Sequence, residues 1–112
     1  MFFCPVGYAL SHLEGKWKLR VIYVISKAET IRFNELRRQL EGISNLMLSK
    51  TLQELEDGGI VVRKQFNEVP PRVEYSLSEI GKGIYPVMES LEQWGKMLYD
   101  YKLENNRNIE LE

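Results

Sequence analysis

The chain has 112 residues, of which 44% are hydrophobic and 28% are charged, a composition typical of one folded domain and unlike that of a disordered segment. Fifteen basic residues stand against sixteen acidic ones, so the formal net charge of −1 excludes a simple polybasic nucleic-acid binder. A local basic surface remains compatible with this balance, because a phosphate group responds to the charges near it.

Signals for membranes, disulfides and metals are sparse in this sequence. No apolar run reaches the roughly 18 residues of a membrane-spanning helix, and residues 1–8 lack the basic and long apolar regions of a signal peptide. One cysteine, Cys4, excludes a disulfide within the chain, and one cysteine with one histidine, His12, excludes a Cys/His zinc site. We therefore expect a reduced cytoplasmic protein with neither a metal nor another cofactor.

Charge is distributed unevenly along the chain. Residues 16–72 carry eleven basic and seven acidic side chains, whereas residues 73–112 carry four basic and eight acidic ones. Two interpretations are open. The difference is ordinary surface variation, or the middle of the chain meets an anion while its end meets protein.

Helical patterns come first along the chain. Residues 5–13 predict a short helix with Pro5 in its first turn. Residues 16–27 place apolar side chains on most of a helical circumference, which is typical of a central, mostly buried helix. Residues 30–33 are short and β-prone, and residues 34–40 predict a helix with an apolar stripe.

A turn and a further helix come next. Gly42 is expected to stop the preceding helix, and Ser44 is a good N-cap for the following one. The three leucines between residues 48 and 55 form an apolar stripe on that helix, which should end at residues 57–59. Two helices joined by a short turn that contains glycine are the pattern of a helix-turn-helix.

The rest of the sequence predicts a hairpin and a long helix. Residues 60–66 and 72–77 are typical of two strands, and the loop at residues 67–71 contains two prolines. Ser78 is expected to cap the last helix, whose apolar positions repeat about every 3.5 residues and which Pro86 should bend.

This order of elements is that of a winged helix, and several motifs make the chain resemble a known family. The motifs occupy residues 4–6, 15–17, 32–38, 42–44, 48–56 and 69–75. On these motifs the chain resembles the HxlR-type regulators, a branch of the MarR-like winged helix transcription factors, and the resemblance covers about residues 4 to 95. The resemblance implies a cytoplasmic, bacterial-type homodimer that binds operator DNA.

We accordingly expect an α+β, mainly helical fold. It would be a winged helix-turn-helix domain with extra N- and C-terminal helices that form a dimer interface. A single domain would cover residues 1–112. Its parts would be an N-terminal arm and helix, a winged-helix core, a dimerisation helix and a flexible tail, at residues 1–15, 16–77, 78–103 and 104–112.

Three groups of side chains are candidates for contacts with double-stranded operator DNA. A helix can present side chains to base edges in the major groove, basic residues can contact phosphates, and a wing can reach the minor groove. The major-groove candidates are Ser44, Asn45, Leu46, Ser49, Lys50 and Gln53. The backbone candidates are Arg32, Arg37, Arg38, Lys16 and Lys18, and the wing candidates are Lys64, Asn67 and Arg72.

Each group of candidates has an alternative interpretation. Polar residues on a helix are often only solvated, and basic ones often pair with acidic residues on the same helix. Leu46 either contacts the groove, for instance at a thymine methyl group, or covers the turn. Arg72 either enters a narrow minor groove or pairs with Glu68 or Glu74.

Two further features concern the ends of the chain. The last helix is too apolar to remain in water, which indicates a second subunit. The interface candidates are Phe2, Phe3, Val87, Leu91, Trp94, Leu98 and Tyr101. Cys4 precedes Pro5 at a predicted helix start, and the resemblance implies a cysteine near this place that senses oxidants or electrophiles. The alternative is a small buried apolar residue.

Other functions compete with DNA binding. An enzyme would need a base for Cys4, and His12, the only histidine, is poorly placed for this on the same short helix. A winged helix that binds a protein partner instead of DNA fits the near-zero net charge. A small-molecule effector is compatible with DNA binding, and it could lie among aromatic residues that are more often core, namely Tyr8, Trp17, Tyr23 and Trp94.

Overall fold

The computed structural model describes residues 3–106, which divide into two units. The first unit runs to Lys82 and contains the helix-turn-helix and the hairpin. The second begins at Gly83 and, as far as residue 106, is mainly one long helix.

Within the described residues the chain forms five α-helices, three strands and one short 3₁₀ helix. The helices are α1 (Pro5–Leu13), α2 (Lys18–Ala28), α3 (Phe33–Gln39), α4 (Asn45–Asp57) and α5 (Tyr85–Asn106). The strands are β1 (Thr30–Ile31), β2 (Val61–Phe66) and β3 (Arg72–Leu77), and the 3₁₀ helix is Gly81–Ile84. The predicted winged-helix order of elements is confirmed.

The core of the first unit is built around α2. Val21, Ile22 and Ile25 are completely buried, as the apolar circumference of this helix predicts. The helix contacts α3, α4 and β3. The hydrophobic side chains that these three elements bury are Leu36, Leu48, Leu52, Leu55, Tyr75 and Leu77. Removal of this apolar surface from water fixes α4 against the rest of the unit.

The three strands form one antiparallel sheet in the order β1-β3-β2, and β2 with β3 is the predicted hairpin. The ladder of the hairpin runs from the pair Val61 and Leu77 to the pair Phe66 and Arg72. Because side chains alternate between the faces of a strand, the first pair faces the core and the second lies on the outer face. Burial decreases from Val61 and Leu77 to the exposed loop at residues 67–71, so the hairpin extends away from the core as a wing.

The last helix begins later than predicted. Ser78 Oγ accepts a hydrogen bond from Gly81 N at 3.0 Å and so caps the 3₁₀ helix, whereas α5 begins only at Tyr85. A Cβ atom at position 81 would lie 2.3 Å from Ile60 O, so only glycine fits there. Pro86 lies in the first turn of α5, where its missing N–H breaks no helical hydrogen bond, and this removes the reason to expect a bend.

The other end of α5 also differs from the prediction. The helix continues to Asn106, beyond the expected limit at residue 103, and the remainder of the predicted tail lies outside the described residues. Among the described helices, none combines the length and the apolar character needed to cross a membrane.

Candidate nucleic-acid interface

The turn between α3 and α4 sets the direction in which α4 starts. Gly42 has a φ of +91°, a left-handed conformation that glycine adopts without the steric cost of a side chain. Ile43 is buried beside it. Ser44 Oγ accepts a hydrogen bond from Met47 N at 3.0 Å and caps α4. The predicted cap is therefore confirmed, and the hydroxyl of Ser44 is already engaged within the protein. The preceding helix ends at Gln39 with Leu40 as its C-cap, so Gly42 shapes the turn and does not itself stop the helix.

Helix α4 has one buried side and one exposed side. The three leucines of its apolar stripe are at most 2% exposed. The opposite side exposes Asn45, Leu46, Ser49, Lys50 and Gln53, as predicted. Within this set, Gln53 Nε2 donates to Asp57 Oδ1 at 2.9 Å. Leu46 is 81% exposed, so it does not cover the turn and that alternative is wrong.

Three arginines lie on α3 or at its start, and they differ in whether an acidic side chain pairs with them. Arg32 is the N-cap residue of the helix and is exposed. Arg37 is exposed and forms no ion pair with any residue between 3 and 106. Arg38 Nε, in contrast, donates to Glu35 Oε2 at 2.8 Å. Arg32 and Arg37 can therefore reach a phosphate without the rearrangement that Arg38 needs.

The two lysines near the start of α2 have different surroundings. Lys18 Nζ lies 3.7 Å from Glu54 Oε1, and only 19% of the lysine side chain is exposed. This ion pair joins α2 to α4 and directs Lys18 toward the protein. Lys16 is exposed, with its Nζ 5.0 Å from the ring centre of Trp17.

In the wing, Arg72 is held by neighbours on its own hairpin. Its Nη2 lies 3.4 Å from Glu68 Oε1, and its Nε lies 3.4 Å from Glu74 Oε2. The guanidinium carbon is 4.0 Å from the ring centre of Phe66. Of the two interpretations of Arg72, ion pairing is the arrangement that the structure adopts. The other two wing candidates, Lys64 and Asn67, are exposed.

A groove of about 470 Å³ lies beside α3 and was not anticipated from the sequence. Its lining residues are Ala28, Thr30, Ile31, Arg32, Glu35, Arg38, Gln39 and Glu74. The spacing of Glu35 and Arg38 could have indicated their pairing. Glu74 reaches the same groove only through the pairing of β1 with β3, which the sequence did not predict.

The candidates for a subunit interface retain exposed apolar surface. Exposed on α5 are Val87, Leu91, Trp94 and Tyr101, and Leu98 is partly exposed. Phe3, in the first unit, is also exposed, while Phe2 lies outside the described residues. In the described chain, α5 thus presents large apolar side chains to solvent along one stripe.

The N-terminal helix places Cys4 at one end and His12 near the other. Cys4 is exposed, which contradicts the buried alternative, and its Sγ accepts a hydrogen bond from Gly7 N at 3.3 Å as the N-cap of α1. The His12 ring centre lies 4.8 Å from that of Tyr8. A Cβ atom at Gly58 would be 3.7 Å from His12 Cδ2, so the C-terminal part of α1 approaches the C-terminal end of α4.

The four aromatic residues considered for an effector pocket are mostly outside the core. Trp17 is half-buried, and the other three, Tyr8, Tyr23 and Trp94, are exposed. These three are therefore not core residues of the described chain, and Trp94 remains a candidate for the subunit interface. Within the described range, no group of three or more His, Cys, Asp or Glu side chains could hold a metal ion.

Comparisons with known proteins point in the same direction as this geometry. Residues 12–102 match the HxlR-like helix-turn-helix family. An HTH-type transcriptional regulator of Halalkalibacterium halodurans is 46% identical over 91 residues, which cover 81% of this chain and 80% of that protein.

Three solved structures are similar over most of the chain. The redox regulator HypR in its reduced form has a TM-score of 0.82 and 40% identity, with coverage of 91% of this chain and 99% of that one. HypR in its oxidised form is similar with a TM-score of 0.77. A transcriptional regulator of the MarR family from Porphyromonas gingivalis W83 has a TM-score of 0.76 and 39% identity, with coverage of 83% and 90%. With its winged helix-turn-helix fold and these relatives, the chain belongs to the HxlR-like family of helix-turn-helix transcriptional regulators.

Proposed function

We propose that this regulator binds a palindromic operator as a homodimer, with α4 of each subunit in the major groove. The observation that carries the proposal is the two-sided character of α4. Its three buried leucines hold the helix to the core, while the opposite side exposes Asn45, Ser49 and Lys50 to solvent. Asparagine can bond adenine bidentately, serine can bond several base edges, and lysine can reach guanine.

Two further α4 candidates, Ser44 and Gln53, have limited roles in this arrangement. Ser44 keeps its capping hydrogen bond and fixes the approach of the helix. Gln53 reaches a base only if it gives up its bond to Asp57.

Phosphate contacts would come chiefly from exposed basic residues around α4. Arg37 lies on the first helix of the motif and Arg32 is its N-cap residue, where contact with the DNA backbone is expected. Lys16 is an exposed further contact, whereas Arg38 and Lys18 would act from within their ion pairs.

The wing would complete the contact surface with DNA. Lys64 and Asn67 are exposed and can reach phosphates or the adjacent minor groove. Arg72 instead supports the shape of the hairpin through Glu68 and Glu74. A wing held in one conformation loses less conformational entropy when it binds DNA.

A second subunit would cover the apolar stripe of α5 and the exposed Phe3. Two-fold symmetry of such a dimer predicts two α4 helices that enter the major groove about one helical turn apart, at half-sites related by a palindrome.

The first experiment measures binding of the reduced protein to DNA from upstream of its own gene. Electrophoretic mobility shifts at two salt concentrations, with an unrelated duplex as competitor, should give specific binding that weakens as salt rises. Binding to neither duplex by the reduced and the oxidised protein would contradict the proposal. It would favour a winged helix that binds a protein partner through α4.

We further propose that modification of Cys4 controls DNA binding. The thiol is exposed and caps α1, and HypR, which is similar in structure, is a redox regulator. With one cysteine per chain, oxidation would join Cys4 of two subunits or join Cys4 to a small thiol. Either product disturbs the cap of α1, and the proximity of His12 to Gly58 offers a path from this helix to the end of α4.

Diamide tests the control by Cys4. It takes up the two electrons and two protons that two thiols release when they join as a disulfide. Wild-type affinity for the operator should change on treatment, and that of Cys4→Ser should not. Serine suits the N-cap position, so this variant removes the thiol while it keeps the helix cap. An equal response of both proteins would reject control by Cys4 and leave the DNA-binding proposal intact.

A further inference from the structure

Among the apolar side chains of α4, Leu46 is by far the most exposed, whereas Met47 is 39% exposed. Leu46 is 81% exposed and lies in the first turn of the helix. The other leucines of α4 are buried. A leucine that remains in water contributes no burial to folding, so a polar residue would serve the fold equally well.

The turn beside Leu46 is complete without it. Ile43 is buried at the turn, and the Ser44 hydroxyl accepts a hydrogen bond from Met47 N. On the other side of the helix, Thr51 Oγ1 donates a hydrogen bond to Met47 O at 2.8 Å. The fold of α4 thus leaves the Leu46 side chain unused.

The side chains next to Leu46 on α4 indicate which part of DNA it would contact. Ser49 and Lys50 follow it by three and four residues, so the three side chains share one side of α4. The N-terminal residues of a recognition helix contact base edges. In the major groove the apolar feature of a base pair is the methyl group at C5 of thymine, and 5-methylcytosine carries the same group.

We propose that Leu46 reads the 5-methyl group of a pyrimidine at one position in each operator half-site. This inference rests on the proposed function, because it requires α4 in the major groove. Contact with the methyl group removes two apolar surfaces from water at once. Leu46 is therefore a specificity determinant, flanked by polar residues that bond neighbouring base edges.

The test begins with DNA that the wild-type protein enriches from a random pool of duplexes. Each thymine of the enriched site is then replaced singly by uracil, which removes the methyl group and keeps the hydrogen-bonding groups. At one position per half-site, uracil should weaken wild-type binding about fourfold, the equivalent of about 0.8 kcal/mol for one buried carbon group. The Leu46→Ala variant should bind the thymine and uracil duplexes equally.

The second arm distinguishes the two sources of the methyl group. If the enriched site has cytosine at the contact position, its methylation at C5 should strengthen wild-type binding and leave Leu46→Ala unchanged. Ser49→Ala is the matched control on the same side of the helix. It should bind more weakly in general but keep the response to the methyl group. An unchanged urea midpoint would show that Leu46→Ala is folded.

The outcomes separate this inference from the proposed function. Enrichment of a site at which every uracil or methyl effect is the same in wild type and Leu46→Ala would overturn the inference alone. Failure of the reduced and the oxidised wild-type protein to enrich any DNA would overturn both. A methyl effect that disappears only in Leu46→Ala would establish the contact.

Discussion

At the scale of single residues, the basic side chains around α4 differ in whether a carboxylate already holds them. Arg38 donates to Glu35, whereas its neighbour Arg37 has no ion pair within residues 3–106. An arginine that leaves an ion pair gives up that interaction when it binds a phosphate. Arg37 should therefore contribute more to DNA affinity than Arg38.

Replacement of Arg37 by alanine tests this difference. The negative slope of log K against log salt concentration should become shallower. Its magnitude should decrease by about 0.9 for each phosphate that the variant no longer neutralises, or by about 2 for a dimer on two half-sites. Affinity should decrease alike for operator and unrelated DNA, since interactions with phosphates carry no sequence information. Fluorescence anisotropy titrations over a range of salt concentrations measure both quantities. Arg38→Ala is the control, and a larger decrease of the slope in that variant than in Arg37→Ala would contradict the assignment.

At the scale of elements, the start of α4 depends on one side-chain hydrogen bond. Ser44 Oγ accepts from Met47 N, one of the N–H groups that have no partner within the helix. Replacement of Ser44 by alanine should lower the free energy of unfolding by about 1 kcal/mol, measured by urea denaturation. Operator affinity should fall as well, because the first turn of α4 frays.

A serine on the exposed side of the same helix provides the control for the cap. Ser49 has no hydrogen bond from its side chain to the described part of the protein, and alanine has the higher helix propensity. Ser49→Ala should therefore leave the free energy of unfolding unchanged or slightly raise it. Equal destabilisation by both substitutions would argue against a specific role of the cap.

Local signals explain which elements could be predicted from the sequence. The spacing of the α4 leucines, the glycine at 42 and the serine at 44 determine the helix-turn-helix, because each acts within a few residues along the chain. Contacts between distant residues could not be predicted in this way. The ion pair of Lys18 with Glu54 joins two helices, and its partner depends on how they pack.

The candidate interface shows the same division between local and distant information. The exposed side of α4 follows from periodicity, so the sequence identifies its residues. The sequence leaves the engagement of Arg72 open, because two carboxylates and a DNA groove compete for one guanidinium. The late start of α5 arises from the short 3₁₀ helix, whose Gly81 must pass close to Ile60 O. No local pattern reveals that close approach.

At the scale of the whole molecule, the apolar stripe of α5 argues for assembly. Trp94 is 58% exposed, and Val87, Leu91 and Tyr101 on the same helix are exposed too. A stripe of this kind in water favours association, and a dimer binds two half-sites far more tightly than one subunit binds one. Assembly and DNA affinity should therefore be lost together when the stripe is made polar.

The substitution Trp94→Glu tests this link, with Gln93→Glu as its control. Each adds one negative charge to α5, but the two positions are about 100° apart around the helix, so only the first lies on the stripe. Trp94→Glu should sediment as a monomer, lose on the order of a hundredfold or more in operator affinity and show about half the salt slope. Gln93→Glu should remain a dimer with nearly wild-type affinity. A Trp94→Glu protein that stays dimeric would exclude this stripe as the subunit interface, whereas a monomer with unchanged affinity would separate assembly from DNA binding.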